Sequence, residues 1–551
     1  MSEAWSAGWR PFALLAVLCL GLYLPGIAAL PPLDRDEARF AQATRQMLET
    51  GDFLRARFQD EARNKKPIGI YWLQAASVAV LSKADSTAIW PYRLPSLLGA
   101  TAAVLLAFAF GRVLLGDEAA LIGAALLAGT LSLVAEAHLA KTDAALLATV
   151  VMAQGALGAL YREERFHAGS SRRRWVLLFW LAQGAGILIK GPITPLVSLL
   201  TAGTLSIADR EARWLRALRP LWGVPLMLVI AAPWFIAISV ATGGAYLGDA
   251  VGHDFMGKLF GAQEAHGAPP GYYLALLAIT FWPASLLLGP TFAWAWRDRA
   301  ASSTRFLIAW AVPFWIVLEL VPTKLPHYIL PAYPALALLA GRAVIAARDG
   351  ALRRYRWLDV ITVALWSVVT IGLAAAMIVL PLWYAPGLSI AGIVAALVLL
   401  LLGGSLAASA SWHRETALAA RLTVLALLTF ALVFQFVAPA LDRLWLSREA
   451  ARIVATYRPP ADAPVVAVGY SEPSLVFWLG TRTRSLSAEQ AARYVTSARG
   501  AAALVSSDDD AAFRRALKAL GWEARRIDVV AGLDYSNGRQ TTLTLYAGAP
   551  G

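Results

Sequence analysis

Cysteine is almost absent from this chain. The one thiol, Cys19, leaves no intrachain disulfide and no cysteine metal site to consider. Charge is also scarce: 15% of residues are Asp, Glu, Lys or Arg, against 58% hydrophobic, and the mean hydropathy is +0.57. That balance excludes an ordinary soluble domain. Most apolar runs carry no charge at their middle and no internal repeat is evident, which argues against a transporter built from inverted halves. The segment after Pro439 shows no nucleophile triad, phosphate loop or metal-ligand spacing. The formal charge of +13 invites a nucleic-acid reading. The basic residues, however, sit in short loops between apolar runs, which is the pattern of membrane orientation, so no nucleic-acid partner is expected.

What the chain does contain is long hydrophobic runs. Its 551 residues accommodate roughly a dozen spans of about 20 residues and one small water-soluble domain. Hydropathy places thirteen spans near 11–30, 92–114, 118–138, 143–161, 174–189, 191–208, 220–242, 270–296, 305–321, 327–347, 357–381, 386–410 and 419–440. Pro11 to Leu30 is taken as an uncleaved first span rather than a secretory signal, being long for a signal core. The expected architecture is an α-helical polytopic membrane protein, with a transmembrane domain over 1–440 and a small extracytoplasmic α/β domain over 441–551. In the latter, strands are expected at 465–469, 501–506 and 541–546, with helices at 488–498 and 511–520.

Arginine sets the orientation. Arg162, Arg165 and Arg172–Arg174, then Arg210–Arg219, Arg297–Arg305, Arg342–Arg356, Arg414 and Arg421 all fall in alternate loops. These loops are cytoplasmic by the positive-inside rule. The opposite face receives the long loop 31–91, the turns at Asp143 and Lys190, the loop 243–270 and the stretch Lys324–Tyr328. Within 31–91, residues 37–49 and 68–81 are expected as helices lying along the membrane surface.

The residues able to do chemistry gather on that face. Asp36 follows the first span, beside Glu37 and Arg39. A carboxylate at a membrane boundary serves as a base or as a partner for a developing positive centre, while the plainer alternative is an acid favoured at a helix start. Asp143, with Lys141 nearby, invites the same two readings. Lys65-Lys66-Pro67 and Lys190-Gly191-Pro192 place cations at headgroup depth, where lysine either snorkels or binds a phosphate. Lys258 follows His253 and Asp254. Lys324-Leu-Pro-His327-Tyr328-Ile-Leu-Pro331 puts a cation, an imidazole and a phenol at a proline-bracketed seam between two spans. Asp34-x-Asp36 could formally hold a divalent cation, and His138, His253, His266 and His327 a zinc ion. Neither spacing demands a metal, and none is expected.

Taken in order, Asp36-Glu37-x-Arg39-Phe40-Ala41, Met47–Phe53, Lys66-Pro67 with Tyr71-Trp72, Arg93-Leu94-Pro95-Ser96, Thr142-Asp143, Lys190-Gly191 and Lys324–Pro331 resemble the polytopic lipid-linked-sugar glycosyltransferases of the aminoarabinose lipid A transferase type. Protein O-mannosyltransferases are more distant relatives. The similarity covers about 20–340. It implies a GT-C fold and an inverting transferase of the bacterial inner membrane, with its active site and C-terminal domain facing the periplasm. A sugar would pass from a polyprenyl-phosphate donor to lipid A, lipopolysaccharide core or another envelope acceptor. By the family pattern, Asp36 and Asp143 are the essential carboxylates. Lys66 and Tyr328, with Lys258, hold the carrier phosphate, and Arg39 orients Asp36. Glu37, Lys190, Lys324 and His327 complete the candidate set. Membrane lipids are expected partners and no cofactor is expected. Relatives often carry an acid before the Lys-Pro pair where this chain has Lys65, which bears on the local charge balance and the sugar preference. A flippase for a lipid-linked substrate and a protein O-glycosyltransferase are the alternatives.

Overall fold

The computed structural model describes residues 8–166, 172–250, 252, 267–352, 355–409, 415–459, 464–498, 500–523 and 525–547. Lys258, His253 and His266 lie outside them. Up to Ala440 the described chain is a helical bundle with the two-stranded hairpin β1 (Arg57–Phe58) and β2 (Glu61–Ala62) inserted. Among the described residues, eight helices are long and apolar enough to cross a membrane, and ten spans result if each of two bent pairs counts as one. The pairs are Asp117–Ala128 with Leu131–Ala137, bent by 61°, and Tyr272–Thr280 with Ala284–Arg297, bent by 112°. The three other expected spans coincide with Arg10–Tyr23 and Ile193–Asp209, which are shorter, and Arg172–Lys190, whose first turn carries three arginines. The chain is an integral membrane protein.

Burial divides the spans. The apolar window of Pro326–Arg348 is 94% buried inside the protein and that of Pro220–Ala241 only 17%. The first is a central strut, and the second presents apolar side chains outward, as a lipid-facing helix does. Trp90–Leu115 packs on Asp143–Phe166, which packs in turn on Arg172–Lys190. The two ends of Asp143–Phe166 differ in chemistry. Its first residue is Asp143, whereas near its other end Tyr161 donates to Asp209, itself paired with Arg305.

Both helices expected within 31–91 are present, as Asp36–Thr50 and Gly69–Leu81. At Gly69 a Cβ would sit 2.6 Å from the Leu188 carbonyl oxygen. Only glycine permits that approach, which draws the segment after Lys66 against the helix ending at Lys190.

The C-terminal region is α/β. Strands β3 (Val466–Val468), β4 (Arg484–Ser485), β5 (Ala502–Ser506), β6 (Arg525–Asp534) and β7 (Arg539–Ala547) form one sheet in the order β4-β3-β5-β7-β6. The β3 pairings are parallel and those of β7 antiparallel. Alternation along the strands feeds two cores. Val466, Val468, Val505 and Tyr546 meet the helices Ala488–Ser497 and Asp510–Ala519. Ala467, Leu504, Leu543 and Leu545 meet Leu446–Tyr457 and Pro473–Leu479. Strands β4 and β6, the latter with a polar start, and the helices Leu446–Tyr457 and Pro473–Leu479 are additions to the expected elements.

Candidate active site

Two helix starts and one helix end build the site. Asp36 opens Asp36–Thr50 and Asp143 opens Asp143–Phe166, positions where the helix dipole favours a carboxylate. Lys190 closes Arg172–Lys190, where a cation is favoured, and Gly191 at φ +67 with Pro192 turns the chain away. The seam Pro326–Ala332 is a short 3₁₀ turn between prolines and carries His327 and Tyr328.

These elements enclose a polar cavity of about 300 Å³. Its lining includes Asp36, Arg39, Lys66, Asp143, Lys190, His327 and Tyr328, so sequence positions almost 300 residues apart meet in one space. Seven Lys or Arg side chains and four carboxylates line it. Lys190 Nζ lies 2.5 Å from Asp143 Oδ1 and 5.2 Å from the centre of the Tyr328 ring. His327 stands between two acids, with Nδ1 3.7 Å from Glu136 and Nε2 3.8 Å from Asp143. Lys141 Nζ donates to Glu136 at 3.1 Å. Asp36 is exposed to the cavity. Desolvation pushes its carboxyl up, but the charges of Lys141, Arg63, His327 and Lys66 outweigh that and hold it below the usual carboxylate range. For Lys141, burial pushes down while Glu136, Asp143 and Asp36 push up, and the net direction is upward.

Two candidates are placed differently from the expectation. Glu37, next to Asp36, is buried in the cavity wall, and its carboxylate is held in a structural clamp. Its oxygens accept from Arg93 at 2.8 and 3.0 Å and from the Leu33 and Ala140 amides at 2.8 Å each. Arg93 in turn donates to the carbonyls of Ile27, Leu30 and Pro31. The clamp fixes where the first span ends and the Asp36 helix begins, and it leaves Glu37 no oxygen for a ligand. Lys324 is also buried. Its ammonium donates to the Ala268 and Val321 carbonyls at 2.9 and 2.6 Å and does not line the cavity.

Arg63, Lys141 and Glu136 belong to the charged constellation and were not among the candidates. Arg63 heads the basic run Arg63-Asn64-Lys65-Lys66. The β1–β2 hairpin folds it back so that its guanidinium lies 4.9 Å from the Phe40 ring centre and bonds the Tyr71 hydroxyl. Nothing local in the sequence announces that return. Among the described residues no three His, Cys, Asp or Glu side chains converge as a metal site. His138 is packed instead, stacked 4.0 Å from Phe434 and bonded to the Val134 and Pro25 carbonyls.

A second cavity, of about 660 Å³, adjoins the first and shares Lys65, Lys66, Asp143, Lys190, Thr323 and Tyr328 with it. Beyond that rim its wall is apolar, with Leu146, Ile193, Leu196, Met227, Phe235 and Phe314.

Residues 65–236 match the family model described as dolichyl-phosphate-mannose-protein mannosyltransferase. An undecaprenyl phosphate-alpha-4-amino-4-deoxy-L-arabinose arabinosyl transferase of Pseudomonas aeruginosa (strain UCBPP-PA14) is 30% identical over 355 residues, 62% of this chain and 60% of that protein. Its namesake in Edwardsiella ictaluri is 28% identical over 383 residues, 68% of this chain and 66% of that protein. The chain thus spans about three fifths of the length of the curated relatives it matches. The crystal structure of ArnT from Cupriavidus metallidurans bound to undecaprenyl phosphate superposes with a TM-score of 0.77 at 19% identity, covering 98% of each chain. The archaeal oligosaccharyltransferase AglB from Archaeoglobus fulgidus gives 0.52 at 12% identity, over 88% of this chain and 64% of that one. In sequence the chain is similar to these arabinosyl transferases, and its fold is that of ArnT, with a more distant likeness to AglB.

Proposed function

We propose that the protein is an inverting glycosyltransferase of the bacterial inner membrane. It takes a sugar from a polyprenyl-phosphate donor and passes it to lipid A, lipopolysaccharide core or another envelope acceptor at the periplasmic face. The observation that carries this reading is the abutment of a charged cavity holding Asp36 and Asp143 on an apolar cavity, with Lys65, Lys66, Lys190 and Tyr328 on the shared rim. A donor with an anionic head and a long prenyl tail matches that division. The names of the relatives support the same donor class.

The chemistry follows from the charges. The glycosyl–oxygen bond to the carrier breaks as the acceptor oxygen attacks from the opposite face, and the carrier phosphate leaves with the electron pair. Cations at the rim stabilise the charge building on that phosphate. Asp36, ionised and open to the cavity, takes the proton if the acceptor is a hydroxyl. If the acceptor is a phosphate there is no proton to remove, and the two carboxylates position it or stabilise the oxocarbenium-like centre. Asp143, held by Lys190, supplies a fixed negative charge.

The test is mass spectrometry of lipid A and core from the host with and without the gene, and with an Asp36→Asn copy restored. A sugar increment lost on deletion and not recovered by the variant supports the reading. An unchanged profile removes both acceptors. Recovery by the Asn variant removes Asp36 from the chemistry and favours a lipid-handling protein.

A further inference from the structure

The C-terminal α/β region lies along the Asp36–Thr50 helix, and its two ends of contact differ. Away from the cavity the contacts are ordinary. Phe477 packs with Ala41, Val78 and Tyr92, Arg45 donates to the Phe477 carbonyl at 2.9 Å, and Gln42 donates to Thr481 at 2.7 Å. Beside the cavity, the β6–β7 hairpin tip holds the two residues that precede Asp36. The Tyr535 hydroxyl accepts the Asp34 amide at 2.6 Å, and the Ser536 carbonyl accepts the Arg35 guanidinium. The Ser474 amide donates to Asp34 Oδ1 at 2.9 Å. Arg35 has φ +64 and ψ −99, a conformation that an L side chain keeps only where its surroundings impose it. Both Asp34 and Arg35 line the polar cavity.

We infer that the Tyr535–Ser536 tip is a proton-sensitive latch that positions the reaction cavity, holding Asp34–Arg35 in a strained turn and, through it, Asp36 in register. Its effect on rate rests on the transferase reading above, while its mechanics do not. Tyr535 and Glu472 are positioning residues in this scheme, because they act through Asp34 and Arg35.

The proton sensitivity comes from what faces Asp34. From the C-terminal region these groups are Glu472, Asp534 and the phenols of Tyr470 and Tyr535, and from its own turn Arg35. Asp534 is occupied within the hairpin, accepting from the Ser536 amide at 3.2 Å and Asn537 Nδ2 at 2.8 Å. Burial first, then the neighbouring acid Asp534, pushes Asp34 up to about 6. Burial first, then the charge of Asp34, pushes Glu472 up to about 7. Undocked, both carboxyls return toward their ordinary range. The docked state therefore binds more protons between about pH 4 and about pH 7, so docking is tightest at the acidic end and weakens as pH rises through both values.

Hydrogen–deuterium exchange of the full-length protein in lipid nanodiscs decides the mechanics. Peptides spanning 33–38 and 533–538 are compared at about pH 5.5 and about pH 8 after correction for intrinsic rates. We expect the wild-type protein to exchange about tenfold faster in these segments at the higher pH. Glu472→Gln, which removes one of the two titrating carboxyls, should be slower than wild type at the higher pH and keep only the smaller pH dependence due to Asp34, and Tyr535→Phe should be fast at both. Equal protection in all three proteins overturns the latch. For the rate, Tyr535→Phe should lower kcat about tenfold with donor KM and thermal stability unchanged, and Glu472→Gln should flatten the pH profile. A kcat that ignores a demonstrated change in exchange overturns the positioning role. If the wild-type protein transfers no sugar, the transferase reading fails and the exchange data still decide the latch.

Discussion

The two adjoining cavities are built from different parts of the chain and by opposite rules. The polar one is walled by loop residues and helix ends: Asp36, Arg63, Lys141, Asp143, Lys190 and His327. The apolar one is walled by the middles and flanks of helices, through Leu146, Leu196, Met227, Phe235 and Phe314. A charge on the apolar wall would be buried without a partner, and an alkyl chain in the polar cavity would displace hydration from seven cations and four carboxylates. A ligand with one charged and one apolar part is therefore oriented by the boundary alone, before any specific contact forms. On the transferase reading proposed above, chemistry falls on one side of the rim and affinity for the tail on the other.

Changes on the polar side should strike turnover, and the largest effect is expected at the two carboxylates. Asp36→Asn and Asp143→Asn should each lower kcat by about 10² to 10⁴ with donor binding retained, as read by single-turnover transfer and by equilibrium binding of the carrier lipid. A variant that loses donor binding and turnover in parallel would erase the division of labour drawn here. Lys190→Met comes next. It removes the partner 2.5 Å from a buried carboxylate, and breaking such a pair costs about 3–5 kcal/mol. The double variant Lys190→Met with Asp143→Asn should recover much of that stability without recovering activity, a coupling that a double-mutant cycle in thermal unfolding measures.

How much of this was legible beforehand can be read from neighbouring residues. Asp36 and Glu37 are adjacent acids in the first turn of one helix, and the sequence does not tell them apart. One faces the cavity, while the other is claimed by Arg93, 56 positions later. The helical architecture was legible because hydropathy and helix-end chemistry are local properties. So were the carboxylates at helix starts and Lys190 at a helix end. What was not legible depends on where a loop returns. The β1–β2 hairpin brings Arg63 back over Phe40, and the β6–β7 tip reaches Asp34 from 501 positions away. Of the thirteen expected spans, eight to ten meet the length and composition of a crossing helix among the described residues; two of those are sharply bent, and the other three are short or charged.

On the apolar side, Leu196→Trp should raise KM for a long-chain donor about tenfold, the equivalent of about two methylenes kept out of the wall, with kcat unchanged. A donor with a two-isoprene tail should not notice the substitution. Equal effects on both donors would mean that the apolar cavity does not hold the tail. The pH profile sharpens the same contrast. Asp36 lies below the ordinary carboxylate range and Lys141 is shifted upward, so both stay charged between about pH 5 and pH 8. In the Glu472→Gln background the rate should then be insensitive to those two groups across that window, and a steep limb there would assign the controlling proton to the cavity itself.

The smallest effect on transfer is expected from Lys324, one of the lysines in the candidate set. Lys324 opens the Lys-Leu-Pro-His-Tyr stretch, yet it lies on neither wall, and its ammonium ties the Ala268 and Val321 carbonyls together. Lys324→Met keeps the length and apolar stem of the side chain and removes only those bonds. Two carbonyls then lose a charged donor, for a cost of about 1–3 kcal/mol in stability. Thermal unfolding should register that loss, whereas kcat and donor KM measured well below the melting temperature should change by less than about twofold. A large rise in KM from Lys324→Met would show that the ammonium leaves its carbonyls to meet the phosphate when donor binds. The rim between the two cavities would then be assembled by the ligand rather than presented to it.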